Sequence, residues 1–171
     1  MADGVVIDAN VIPHFYTEYM KGNGLVYEVV VWISINTGIA INDHIATEWR
    51  NICSADLFIT WYADQLKLGN IRKIECGNIS RDTKKKMINM YGFPANSYDI
   101  HYIRCAYYTE STKYIMTYNY DFYEPKCQRS TIQARSRARE LRQGRFCKFL
   151  LTELGISVGM PQHCKSDFGI Q

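Results

Sequence analysis

Three β-branched residues in a row, Val5-Val6-Ile7, stop abruptly on Asp8, with Asn10 two positions later. A short strand with no polar alternation is buried on both faces and needs cover on each side. That requirement favours folds in which helices pack around a mainly parallel sheet. In such sheets ligands bind beyond the carboxyl ends of the strands, and Asp8 stands at that position. A carboxylate there can hold a cation, while Asn10 can steer it or bind a substrate oxygen. Asp and Asn also cap helices, and Ile12-Pro13 suits a first helical turn, so Asp8 by itself leaves a ligand and a cap both open.

The rest of the chain repeats the alternation. Hydrophobic periodicity predicts helices over residues 13 to 20, 25 to 37, 44 to 53, 57 to 68, 80 to 89, 99 to 109 and 132 to 154, with glycines such as Gly22, Gly38, Gly69, Gly92 and Gly155 as stops. Short extended pieces are expected over 38 to 41, 113 to 117 and 156 to 158, and an edge strand or loop over 71 to 75. Asn42-Asp43, Ser54 to Asp56 and Asn96-Ser97-Tyr98 read as helix caps. Ile45, Trp49 and Ile52 form one apolar helix face, and Ile103, Ala106 and Tyr107 another; the tail beyond Pro161 is expected to be loose. Strands separated by helices throughout predict an α/β fold with a mainly parallel sheet.

At 171 residues the chain is expected to form one domain with a full core. No apolar run reaches the length of a membrane span, and Met-Ala-Asp-Gly starts no secretory signal, so a cytoplasmic location is expected. Six cysteines, with no Cys-x-x-Cys among them, read as reduced thiols and argue against zinc. Residues 126 to 171 carry nine Lys and Arg against three acids, a local net charge of +6; residues 1 to 125 carry eleven against fourteen, a net of −3. A polyanion partner suits the basic part and a cation the acidic body.

The acids recur where a parallel sheet can gather them. Asp8 ends one strand, Glu48 sits on a helix, Asp99 starts another, and Asn119 and Asp121 follow a second buried strand. His44 and His101 read as surface or satisfied core histidines, and His14 and His163 carry no signal.

Taken in order, these stretches resemble the PIN-domain family of metal-dependent nucleases. The resemblance rests on Val6-Ile-Asp-Ala-Asn10, Ala46-Thr-Glu-Trp-Arg50, Asp99-Ile-His-Tyr-Ile-Arg-Cys-Ala106, Ile115-Met-Thr-Tyr-Asn-Tyr-Asp-Phe122 and Leu154-Gly-Ile-Ser-Val-Gly-Met-Pro161. It covers nearly the whole chain and implies a single three-layer α/β/α domain over residues 1 to 171, with a basic helical segment at about 126 to 150. The family's acids carry over to Asp8, Glu48 and Asp99. At the fourth position the family reads Thr-x-Asp, whereas this chain has Thr117-Tyr118-Asn119; either the Asn119 carbonyl or Asp121 takes the role.

The implied activity is phosphodiester hydrolysis, most readily of single-stranded or structured RNA. Mg²⁺ or Mn²⁺ would supply hydroxide near neutral pH, and hard cations select carboxylate and water oxygens. Asp8, Glu48, Asp99 and Asp121 are then the catalytic acids and, with Asn119, the metal set; Asn10 and Thr117 position water or phosphate. Without a cation the clustered acids should have raised pKa values. Arg135, Arg139, Arg142, Arg145 and Lys148 offer a row of phosphate contacts, and Tyr118, Tyr120, Phe122 and Tyr123 can stack on bases. Family members also act as toxins held by a protein inhibitor such as an antitoxin, and form homodimers. Asn119 leaves open a catalytically weak or inactive module that binds RNA or protein. A haloacid-dehalogenase phosphatase would need a second Asp at Asn10 and a later acidic pair, which are absent.

Overall fold

The computed structural model describes residues 3 to 94, 97 to 126 and 130 to 171. Asn96, read above as part of a cap, and Cys127 and Arg129 of the basic segment lie outside the described residues. The helices are α1 (Ile12–Lys21), α2 (Leu25–Asn36), α3 (Asp43–Ile52), α4 (Asp56–Lys67), α5 (Arg81–Tyr91), α6 (Asp99–Tyr108), α7 (Ile132–Leu141), α8 (Arg145–Leu154) and α9 (Pro161–Asp167). They surround five short strands: β1 (Val6–Ile7), β2 (Ile39–Ile41), β3 (Ile71–Lys73), β4 (Tyr114–Met116) and β5 (Ser157–Gly159).

Every described strand pairing is parallel. β4 lies between β1 and β5, with Val6 opposite Ile115 and Ile115 opposite Val158. β2 pairs with β3, and a bridge between Val5 and Ile39 joins the two groups in the order β3-β2-β1-β4-β5. The bridge is made by Val5 N donating to Gly38 O and Ala40 N donating to Val5 O, both at 3.0 Å. The chain thus runs outward from β1 to β3 and then returns to the opposite side of β1. This reversal is a switch point, where strand connections diverge and a crevice opens at the carboxyl edge. Asp8 and Thr117, the residues that follow β1 and β4, stand there together. The α/β class and the parallel sheet are as expected.

The first strand is buried on both faces, with Val5, Val6 and Ile7 at zero exposure. α2 buries Val26, Val29, Val30 and Ile33, and α6 packs against β1, β2 and β4 through Tyr102, Ile103 and Ala106. Trp49 of α3 donates its Nε1 hydrogen to Ile7 O at 3.0 Å, tying that helix to the end of β1. Among the described residues no helix is long and apolar enough to cross a membrane.

Several local expectations are corrected. The helix expected over 132 to 154 is two helices, parted where Arg142 takes a left-handed conformation with φ of 51°. Phe146 N and Cys147 N donate to Tyr123 O at 3.0 and 3.3 Å, so the start of α8 is capped by a carbonyl from the turn after β4. Gly144 passes so close to that carbonyl that a Cβ would collide with it. The tail is not loose: Pro161 opens α9, which packs on α2 and β5 and buries Cys164, and Ile170 is buried beyond it. The N-cap of α4 falls within Ser54 to Asp56, but it is Ala55 and makes no side-chain cap bond. Ile52 is 47% exposed and Tyr107 37%, so neither is a core contact. Tyr98 caps α6 without a side-chain bond; Ser97 Oγ accepts from Asp99 N at 3.3 Å instead.

Candidate functional site

Asp8 lies at the carboxyl edge of the sheet and is nearly enclosed, at 4% exposure. Its Oδ2 accepts from Thr117 Oγ1 at 2.6 Å and from Asn10 Nδ2 at 2.8 Å. Asn10 sits in a short 3₁₀ turn, Ala9–Val11, and its Oδ1 accepts from Tyr118 N at 3.2 Å, so one carboxamide ties the exits of β1 and β4 together. Thr117 is wholly buried and also accepts from Asn119 N at 2.9 Å. With no exposed surface, its hydroxyl holds Asp8.

Glu48 reaches the same place from α3. Asn42 caps that helix, its Oδ1 accepting from Ile45 N at 3.0 Å, and Trp49 pins it to β1. Tyr102 of α6 ties Glu48 to the backbone just after Asp8: its hydroxyl donates to Glu48 Oε2 at 2.5 Å and accepts from Ala9 N at 3.1 Å. Tyr102 had no role in the sequence reading. Its place one helical turn after Asp99 was the available signal, since positions three apart share a helix face.

Asp99 opens α6, and its Oδ2 accepts from Asn119 Nδ2 at 3.1 Å. Asn119 Oδ1 accepts from Asp121 N at 3.0 Å and caps the 3₁₀ turn Tyr120–Phe122. The backbone donor fixes which end of the carboxamide is oxygen, so the amino end faces Asp99. A carboxylate at 119 would meet Asp99 with like charge; the amide meets it with a hydrogen bond. Asp121 in turn pairs with Arg135 of α7, Nη2 to Oδ1 at 2.6 Å.

Electrostatics link the acids. Burial pushes the Asp8 carboxyl up to about 7, against the Thr117 hydrogen bond that lowers it, and the charges of Asp99 and Glu48 add to the rise. Burial likewise pushes Asp99 up to about 6, helped by Asp121 and Glu48. The four carboxylates thus act on one another, as the sequence reading expected. They do not form a ready cage: among the described residues no three His, Cys, Asp or Glu side chains are grouped to hold a metal ion. Protein donors instead separate them, with Thr117 and Asn10 on Asp8, Tyr102 on Glu48, Asn119 on Asp99 and Arg135 on Asp121.

The five basic residues divide. Arg135 and Arg139 come to the site, with guanidinium carbons 5.4 and 4.3 Å from the Tyr120 ring centre. Arg135 Nε also donates to Glu124 O at 2.8 Å, and Arg139 Nη1 to Tyr118 O at 3.0 Å. Beyond the break at Arg142 the single row ends. Arg142 pairs with Asp167, Arg145 with Glu124, and Lys148 lines a separate cleft of about 330 Å³ with Leu151 and Val158. Phe122 and Tyr123 are wholly buried, which corrects their reading as stacking residues; Tyr118 and Tyr120 are partly exposed. His44 and His101 stack on each other, ring centres 3.7 Å apart.

Compared with protein-family models, with curated proteins and with solved structures, the chain matches none.

Proposed function

We propose that the chain is a metal-dependent nuclease of PIN-domain type that hydrolyses phosphodiester bonds in RNA. One observation carries the reading: Asp8, Glu48, Asp99, Asn119 and Asp121, from separate segments of the chain, meet at the switch point of a parallel sheet, and burial and mutual repulsion push Asp8 and Asp99 up. The donors fit a hard cation by their chemistry, because the group consists of carboxylate, carboxamide and hydroxyl oxygens. Asp8, Glu48, Asp99 and Asp121 would hold Mg²⁺ or Mn²⁺, with Asn119 positioning Asp99 through its amino end and contributing its carbonyl only if the carboxamide turned over. When bound, the metal supplies charge stabilisation at phosphate oxygens and a hydroxide near neutral pH.

The chain's own groups do the positioning. Thr117 and Asn10 fix the Asp8 carboxylate, and Tyr102 orients Glu48 to take a proton from water. Arg135 and Arg139, set over the Tyr120 ring, are cations to which an RNA phosphate can pass. With this proposal go the three-layer α/β/α arrangement, the single domain and a cytoplasmic place of action.

A second reading has its own support. Asn119 and the Asp121–Arg135 ion pair both lower the negative charge of the group, which suits a PIN-like module that binds RNA or protein with little or no catalysis. Labelled RNA incubated with Mn²⁺ or Mg²⁺, with and without EDTA, separates the two. The nuclease reading expects EDTA-sensitive cleavage that Asp8→Asn abolishes. Retention of RNA with no cleavage by the unaltered chain favours the binding module; cleavage that Asp8→Asn leaves intact overturns the acidic centre.

A further inference from the structure

The cleft that holds Lys148 lies at the outer edge of the sheet. β5 is the last strand on that side and pairs only with β4 among the described strands. Ser157 N donates to Lys113 O and Gly159 O accepts from Thr117 N, both at 2.9 Å, so residues 157 and 159 turn their main-chain groups to β4. Alternate residues turn theirs to the opposite edge, which leaves Ile156, Val158 and Met160 facing outward. The two ends of this outer edge are closed from within the chain. Ile156 N donates to Leu150 O at 3.0 Å, and Met160 N to His163 Nδ1 at 3.1 Å. Between them, the N–H and C=O of Val158 meet no hydrogen-bond partner among the described residues.

Val158 is 4% exposed, and main-chain groups so buried are nearly always paired. What opens beside it is the cleft of about 330 Å³, with Leu141 and Arg142 from the end of α7 and Lys148 and Leu151 from α8. Both leucines are half-exposed. Two cations and no acid line the cleft. Asp167 meets the charge of Arg142, while Lys148 has no ion pair among the described residues.

We propose that this cleft binds an extended, acidic segment of a partner protein, which adds a strand to β5. One peptide residue laid antiparallel would exchange both hydrogen bonds with Val158, apolar side chains would cover Leu141 and Leu151, and a carboxylate would pair with Lys148. Charge disfavours a second copy of the chain, since edge-to-edge pairing would bring Lys148 and Arg142 against their own counterparts. An RNA phosphate would answer Lys148, but it offers no donor to Val158 O and no apolar surface to the leucines. The site shares no residue with the acidic group and does not rest on the nuclease reading.

The test titrates the unaltered chain with a fluorescein-labelled peptide, Glu-Val-Glu-Val-Glu blocked at both ends, and follows anisotropy together with the Val158 amide by NMR. Saturable binding by about millimolar peptide is expected, with a Val158 amide that shifts and exchanges more slowly with solvent. The same peptide N-methylated at its three central residues should not bind, because it keeps every side chain and loses the main-chain donors. Lys148→Glu should weaken the acidic peptide about fivefold and favour Lys-Val-Lys-Val-Lys instead. No saturable binding, equal binding of the N-methylated peptide, or binding that leaves the Val158 amide unmoved would overturn the proposal. So would a Val158 amide protected by self-association of the free chain in sedimentation, which puts a second copy there, or one protected by a short oligoribonucleotide and not by the peptide.

Discussion

Asp8→Asn should stabilise the metal-free protein at alkaline pH and leave it nearly unchanged in acid. Burial, with the charges of Asp99 and Glu48, pushes the Asp8 carboxyl up from 3.8 to about 7. Between those values the folded chain keeps a proton that the unfolded chain has released, so stability falls as pH rises through the window and the loss is complete above it. A difference of about three pH units, at about 1.4 kcal/mol each, makes the penalty on the order of 4 kcal/mol. Asparagine keeps an oxygen for the Thr117 and Asn10 donors and carries no charge, so most of that penalty should vanish. Urea unfolding in EDTA at about pH 4 and about pH 8 reads both chains on a scale where the midpoint tracks stability. The variant's midpoint should exceed that of the unaltered chain at about pH 8, and the two should converge at about pH 4. Mn²⁺ added at the higher pH should raise the unaltered chain more, because a ligand that binds only the folded state stabilises it. A variant less stable than the unaltered chain at about pH 8 in EDTA would refute the reasoning.

Asn119→Asp replaces the donor that Asp99 receives with a like charge, and should cost about 1 to 3 kcal/mol in metal-free protein at neutral pH while tightening Mn²⁺ binding about tenfold by calorimetry. Tyr102→Phe takes the acceptor from the buried Ala9 N–H and the donor from Glu48; urea unfolding should register a loss of about 1 to 2 kcal/mol, with kcat for RNA falling and KM unchanged.

The parts of the fold governed by local rules were legible. Val5-Val6-Ile7 reads as a buried strand because it has no polar alternation, and Asn42 reads as a cap because its side chain answers Ile45 N three residues on. The acids were legible too, since each stands at the end of an element or on the face of one. What depended on distant partners was not. Nothing local in residues 132 to 154 announces that Tyr123 O will cap a new helix at Arg145. The pairing of the basic residues was hidden for the same reason: helical spacing along one segment cannot reveal that Asp167, Glu124 and Asp121 arrive from elsewhere to meet them. Phe122 and Tyr123 likewise are core because α8 folds over them, a contact between segments more than twenty residues apart.

The protein's own donors explain how an acidic crevice folds without a cation. Each of the four carboxylates receives at least one hydrogen bond or ion pair from a different element: Asp8 from β4's exit, Glu48 from α6, Asp99 from the turn after β4, and Asp121 from α7. Removal of any one donor would leave a partly buried acid facing its neighbours, which is why the network and the sheet edge depend on each other. The same donors compete with a metal for the same oxygens. Glu48, with one hydrogen bond, from Tyr102 to Oε2, has less to give up than Asp8, which takes two on Oδ2. Asp121 gives up a 2.6 Å pair with Arg135 wherever the metal takes its Oδ1. A nuclease built on this centre therefore gains by letting Arg135 exchange Asp121 for an arriving phosphate, since one movement then bares a ligand and holds the substrate. A pure binding module has no such use for the exchange, and in it the Asp121–Arg135 pair would stay closed when RNA binds.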